Sequence, residues 1–170
     1  MKTSKERLSF SQKESSCEVT FSSNGQFWHL CTPGNLTEIL CENEKDYRFL
    51  VSLIGIVATI TGLSVIAFAV MSNHIHLILN GPEEKCRLFF AIYKEKLGYY
   101  YKRTQRYKNI GALTFDLIPI TSLAMLRTEI AYVNRNGYVA IDNYTPFSYP
   151  WSSGILYFNY CAEIMKGTPL

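Results

Sequence analysis

Hydrophobic and polar positions alternate along the chain with periods that predict a short series of elements. Phe49, Leu50, Leu53, Ile54 and Val57 recur at helical spacing behind the polar start Glu42-Asn43-Glu44-Lys45-Asp46. This predicts a helix from about Glu44 to Thr61, broken by Gly62-Leu63-Ser64. Ser64–Met71 then has the length and the β-branched and aromatic content of a buried strand. Ser72-Asn73 turns the chain into a second strand, His74–Leu79, which Asn80-Gly81-Pro82 ends. Upstream, Gln26–Thr32 reads as an opening strand and Pro33-Gly34-Asn35 as its turn. Downstream, Glu83-Glu84 opens a helix that runs through at least Lys96, and Leu113–Ile120 reads as a fourth strand. A last helix extends from Thr121-Ser122 to Asn136, with Gly137 in the usual position past a helix end. The order β-α-β-β-α-β-α, with a hairpin in the middle, predicts an α+β fold. Its form is an antiparallel sheet covered by helices, ferredoxin-like in outline. No repeat or linker divides it: residues 25–170 read as one domain and residues 1–24 as a polar tail or peripheral element.

Composition sharpens this picture at one place. The chain has 170 residues, 48% hydrophobic and 18% charged, which excludes a disordered polymer and suits a single domain with a core of its own. Yet Phe49 to Pro82, a run of 34 positions, contains no Asp, Glu, Lys or Arg. About 20 apolar residues span a bilayer, so a membrane helix over Phe49–Met71 is one reading. The internal breaks at Gly55 and Gly62-Leu63-Ser64, with β-branched residues between them, favour a helix followed by a core strand. The polar opening Met1-Lys2-Thr3-Ser4-Lys5-Glu6-Arg7 leads into no apolar signal core, so a cytoplasmic protein without membrane attachment is expected. The five cysteines, Cys17, Cys31, Cys41, Cys86 and Cys161, are odd in number and widely spaced, which suits free thiols better than a disulfide framework.

The net charge of +3 conceals a polarised chain. Between Tyr93 and Lys108 stand Lys94, Lys96, Lys102, Arg103, Arg106 and Lys108 against the single acid Glu95, a net +5 that leaves the remainder at −2. Tyr99, Tyr100, Tyr101 and Tyr107 are interleaved with these cations. Phosphate pairing together with base stacking on aromatic rings is how sequence-tolerant single-strand binding is built. A solvated helix end with its tyrosines packed inward has the same pattern.

Two groupings carry candidate chemistry. Two of the three histidines sit in His74-Ile75-His76, and residues i and i+2 of a strand point to one face about 7 Å apart. Both imidazoles would then converge on one ion while Ile75, Leu77 and Leu79 enter the core; a pair of half-exposed strand histidines is the plainer alternative. In the last helix, Leu123, Leu126, Ile130 and Val133 define the core stripe, and Tyr132 and Asn136 share a neighbouring stripe with Glu129. A phenol one turn from an amide oxygen can place a nucleophile beside a metal ligand, and Asn136 at a helix C-terminus would sit where the dipole favours a cation.

Taken in order, these motifs resemble the HUH-type single-tyrosine transposases, most closely the REP-associated branch. The resemblance rests on Trp28-His29-Leu30-Cys31-Thr32-Pro33-Gly34-Asn35, on Val70-Met71-Ser72-Asn73-His74-Ile75-His76-Leu77-Ile78-Leu79, on Ile130-Ala131-Tyr132-Val133-Asn134-Arg135-Asn136, and on Tyr149-Pro150-Trp151-Ser152-Ser153. It implies an HUH nuclease core in which His74 and His76 bind a divalent metal, Mg²⁺ or Mn²⁺, with Asn136 as third ligand and Tyr132 as nucleophile. The implied activity is cleavage and transfer of single-stranded or hairpin DNA through a 5′-phosphotyrosine and a free 3′-OH, by a monomer or homodimer. The DNA-binding residues would be Lys94, Tyr99, Tyr100, Lys102, Arg103, Arg106, Lys108 and Arg135. The chain departs from the family pattern at Pro33, where Arg is usual, at Ser72, where Pro is usual, and at Gly137, where Pro is usual. The segment Tyr138-Val139-Ala140-Ile141 also lacks the cations that commonly follow the asparagine. A catalytically idle or domesticated hairpin-binding protein is the alternative function, and a small membrane protein a more remote one.

Overall fold

A computed structural model of the chain describes residues 27–34, 39–140 and 144–157. The elements are β1 (Phe27–Cys31), α1 (Glu44–Thr61), β2 (Ser64–Val70), β3 (Ile75–Asn80), α2 (Glu83–Arg103), β4 (Asp116–Ile120) and α3 (Leu123–Ala140). A 3₁₀ turn, Ile110–Ala112, lies between α2 and β4. The order is the one the hydrophobic pattern predicts. The expected tail at residues 1–24, together with Asn35, Cys17 and Cys161, lies outside the described residues.

The four strands form one antiparallel sheet in the order β2-β3-β1-β4. Side chains alternate across it and divide the molecule into two layers. On one face Trp28, Leu30, Ile75, Leu77 and Leu79 join the apolar sides of α1 and α2 in the larger core. On the other, Ala67, Ala69, Ile78 and Ile120 meet Leu126 and Val133 of α3. The charge-free run is thereby explained: it supplies α1 and both strands of the central hairpin, and β3 is covered on both faces. An ion placed there would lose its hydration, at a cost of several kcal/mol. Among the described residues no helix is long and apolar enough to cross a membrane.

Local signals set the limits of α1. The Asn43 side chain accepts from the backbone N–H of Lys45 at 3.0 Å and of Asp46 at 3.2 Å, and Gly62 ends the helix in a left-handed conformation, φ 67°. Three expected boundaries move. β4 begins at Asp116 rather than Leu113, because the 3₁₀ turn delivers Leu113 into the larger core and sets Phe115 against Phe90. His74 falls just before β3 rather than within it. The last helix does not stop at Gly137 but continues to Ala140. That glycine lies in mid-helix because a Cβ there would overlap the Tyr149 ring.

The segment 149–153 fixes α3 over the sheet. Val70 N–H donates to the Trp151 carbonyl at 2.9 Å, Phe68 N–H to Ser153 Oγ at 3.0 Å, and the Tyr149 hydroxyl to the Val70 carbonyl at 2.8 Å. Ser153 Oγ also donates to Asn134 Oδ1 at 2.9 Å, joining the edge of β2 to α3. The same bonds cover an otherwise open sheet edge.

Candidate active site

The face of the sheet beneath α3 collects the chemistry. Because Ile75, Leu77 and Leu79 point into the larger core, His76 points the other way, towards α3. Register then selects its neighbours: His76 pairs with Cys31 on β1 and with Ala69 on β2, and Cys31 pairs with Asp116 on β4. His74 stands edge-on to His76, with ring centroids 4.9 Å apart and planes at 90°.

From above, α3 lowers two side chains three residues apart. The Tyr132 ring lies 5.4 Å from His76 and 5.8 Å from His29, edge-to-face in both cases, and remains 45% exposed. Glu129 Oε2 sits 2.8 Å from His29 Nδ1, and His29 Nε2 faces His76 Nδ1 at 3.1 Å. With both rings neutral, a hydrogen on His29 Nδ1 serves the Glu129 carboxylate. His29 Nε2 then accepts from His76 Nδ1–H, and the His76 lone pair is left on Nε2. His74 is held in a similar way: its Nδ1 meets Asn73 Oδ1 at 2.7 Å, while Asn73 Nδ2 donates to the Gly34 carbonyl at 2.6 Å. Gly34 itself lies against the His74 ring.

Burial keeps all three imidazoles neutral. His76 is pushed down to about 3 by burial and then by the neighbouring His29 and His74. His74 is lowered by burial, and His29 is lowered by burial against the opposing pull of Glu129. Neutral imidazole is the form that ligates a metal. The Cys31 thiol is pushed up by burial and by the charges of Asp116 and Glu129.

Asn136 occupies a different position from the one expected. Since α3 continues to Ala140, it is not at the helix end. Its Nδ2 donates back to the Tyr132 carbonyl at 2.9 Å, which commits the amide nitrogen to the helix. Arg127 and Arg135, one turn to either side of Ala131, line a cleft of about 460 Å³ together with Tyr132.

The basic–aromatic segment lies elsewhere. α2 belongs to the layer on the opposite side of the sheet from α3, so the sheet stands between most of that segment and the histidines. Four of its seven expected DNA contacts are bonded to protein partners. Lys94 Nζ donates to the carbonyls of Gly111 at 2.6 Å and Leu113 at 2.8 Å. Lys108 Nζ donates to the Ile39 carbonyl and pairs with Glu42. Arg106 grips Asp46 with two bonds of 2.7 and 2.6 Å, and the Tyr100 hydroxyl donates to the same carboxylate at 2.7 Å while its ring stacks on Phe49. Burial alone would raise the Asp46 carboxyl, but the bonds from Arg106, Tyr100 and the Glu42 N–H hold it well below the usual carboxylate range. Tyr99, Lys102 and Arg103 remain exposed.

The fold is similar to that of a solved tyrosine transposase. That structure, a REP-associated tyrosine transposase bound to a REP hairpin, superposes with a TM-score of 0.56 at 16% sequence identity, covering 88% of this chain and 86% of that one. The likeness is one of fold: an α+β architecture built on a four-stranded antiparallel sheet. No family model matches the chain, and no curated protein matches it.

His29, Cys31 and Arg127 lie beside the candidate residues although spacing alone does not single them out, and Glu129, on the Tyr132 stripe, meets His29. His29 and Cys31 are two apart on β1, the same signal as His74 and His76, but only the strand register brings them to His76. Glu129 and Arg127 reach the site because the segment 149–153 sets α3 across that face.

Proposed function

We propose that this chain is a metal-dependent DNA strand transferase that cleaves and rejoins single-stranded DNA beside a hairpin, with Tyr132 as nucleophile. The observation that carries the reading is the half-exposed Tyr132 ring set edge-on to the buried His76, with His74 adjoining. The donor set fits a divalent ion. Nδ1 of His74 is bonded to Asn73 and Nδ1 of His76 to His29, which leaves the two Nε2 atoms as the free ring ligands. Asn136 Oδ1 is the third candidate. Such an ion, Mg²⁺ or Mn²⁺, supplies polarisation of the scissile phosphate.

The chain's own groups do the rest. Glu129 and His29 hold His76 in the tautomer that presents Nε2, as carboxylate–histidine pairs do around metal ligands. Arg127 and Arg135 flank Tyr132 and pair with phosphates on either side of the reacting one. The Tyr132 hydroxyl gives its proton to solvent as its oxygen attacks phosphorus, the bond from phosphorus to the 3′-oxygen breaks, and that oxygen takes a proton from solvent to leave as a 3′-OH. One phosphodiester replaces another, so the reverse attack by a 3′-OH rejoins a strand without an external energy source. Tyr99, Lys102 and Arg103, exposed at the far end of α2, serve as outer contacts to the DNA.

The test incubates the wild type and Tyr132→Phe with single-stranded hairpin DNA and Mn²⁺ or Mg²⁺. A covalent protein–DNA adduct is expected from the wild type alone. An adduct that persists in Tyr132→Phe overturns the nucleophile, and hairpin binding without any wild-type adduct reduces the protein to a binding module.

A further inference from the structure

Beneath the proposed catalytic ligands lies a second set of donors. His29, Cys31 and His76 each offer a ligand atom within 4.8 Å of the others, largely buried between the sheet and α3, and His29 Nε2 faces His76 Nδ1. We propose that these three side chains form a separate site for a zinc-like, thiolate-accepting transition metal, and that filling it withdraws His76 from the DNA-cleaving ion. The second half of this proposal rests on the function proposed above; the binding site does not.

Three observations support the site. The two nitrogens already face each other at 3.1 Å, close to the separation of roughly 3.3 Å that two imidazoles take on a tetrahedral zinc with bonds of about 2.0 Å. The second nitrogen of His29 is held by Glu129 at 2.8 Å, the carboxylate–histidine arrangement that orients zinc ligands from outside the coordination shell. Cys31 is the direct cross-strand partner of His76, and its sulfur lies within 4.8 Å of a ligand nitrogen of each histidine. A set of two imidazoles and one thiolate favours zinc-class ions and disfavours Mg²⁺ or Mn²⁺, which take oxygen ligands and imidazole rather than sulfur. A water completes the tetrahedron.

The consequence for His76 follows from its tautomer. Binding at Nδ1 requires the lone pair there, so the ring's hydrogen moves to Nε2, the atom required by the catalytic ion. Cys31 gives its thiol proton to solvent as the metal–sulfur bond forms. Occupancy of the two sites by a shared His76 is therefore exclusive, and zinc acts as an inhibitor.

The experiment uses the full chain without DNA, in a background carrying Cys17→Ser and Cys161→Ser. The remaining cysteines, Cys41 and Cys86, lie in the core between α1 and α2, with thiols pushed up by burial to about 12 and about 11. Zn²⁺ is titrated against a chromophoric chelator, and Co²⁺ is added to read a thiolate-to-metal charge-transfer band. One equivalent of Zn²⁺ is expected to bind, at least tenfold more weakly in Cys31→Ser, and the cobalt band is expected to vanish in that variant. Superimposable zinc isotherms for the two proteins, or a cobalt complex without the thiolate band, overturn the site. Stoichiometric Zn²⁺ should then suppress the Mn²⁺-supported adduct of the parent and spare that of Cys31→Ser; equal suppression of both overturns the inhibitory role. An absence of adduct before zinc is added speaks against the proposed function alone, since zinc binding is read without DNA.

Discussion

Arg106 separates two accounts of the basic segment, because its structural partner is a carboxylate with no exposure to solvent. Replacing it as Arg106→Met keeps an unbranched apolar stem and deletes the two charge-assisted bonds to Asp46. Removing one member of a buried ion pair costs roughly 3–5 kcal/mol, because the other charge stays buried and uncompensated. The Tyr100 hydroxyl at 2.7 Å and the Glu42 N–H at 2.9 Å still serve Asp46, which places the expected loss near the lower end, about 3 kcal/mol. At about 2–4 °C per kcal/mol for a chain of this size, the Tm should fall by about 6–12 °C. Urea denaturation should show the same loss as a shift in midpoint with the slope unchanged. Adding Asp46→Asn to Arg106→Met removes the stranded charge and should recover more than half of the loss. Hairpin affinity of the folded protein and its salt dependence should stay within twofold of the wild type. A stability change within about 0.5 kcal/mol, the size of an ordinary surface substitution, together with weaker binding and a shallower salt slope, would refute this account and return Arg106 to the DNA.

Three further outcomes are expected. Gly137→Ala drives a methyl into the Tyr149 ring and should destabilise by about 1–3 kcal/mol in a urea melt, whereas a helix-stop glycine would tolerate or gain from the change. His29→Ala should weaken Mn²⁺ binding by roughly 10–100-fold, read by the paramagnetic resonance of free Mn²⁺, with Glu129→Gln milder because its amide oxygen still accepts from His29; unchanged affinity in His29→Ala would remove His29 from the site. The metal-free protein should lose stability as the pH falls from about 6.5 towards 3, because His76 takes a proton more readily unfolded, where its value is about 6.5, than folded, where it is about 3. Asp46, held low in the fold, adds a loss below the ordinary carboxylate range in the same direction. Urea midpoints of the wild type and His76→Gln between pH 7 and 4 test this, and parallel profiles would contradict the role of His76.

The sequence by itself determined the element order and most boundaries, because periodicity and capping are local. Asn43 and Gly62 delimit α1 where the pattern predicts, and alternation along Ile75–Leu79 sends the isoleucine and leucines into one core and His76 to the other face. It also put His74 and His76 two residues apart and Tyr132 on the stripe beside the core face of α3, while their proposed roles come from the family resemblance. Whatever depended on two elements meeting was decided only in three dimensions. Gly137 has the local form of a helix stop, yet it is a contact, because Tyr149 comes from a segment pinned to β2. The basic run has the composition of a DNA-binding surface, yet Lys94, Tyr100, Arg106 and Lys108 are bonded within the protein, to partners from 17 to 69 residues away in sequence. His29, Cys31 and Glu129 join the site through strand register and the placement of α3, both set by packing across the whole sheet. Local spacing carries no information about such partners, because a side chain's neighbours in the fold are chosen by burial and register rather than by proximity along the chain.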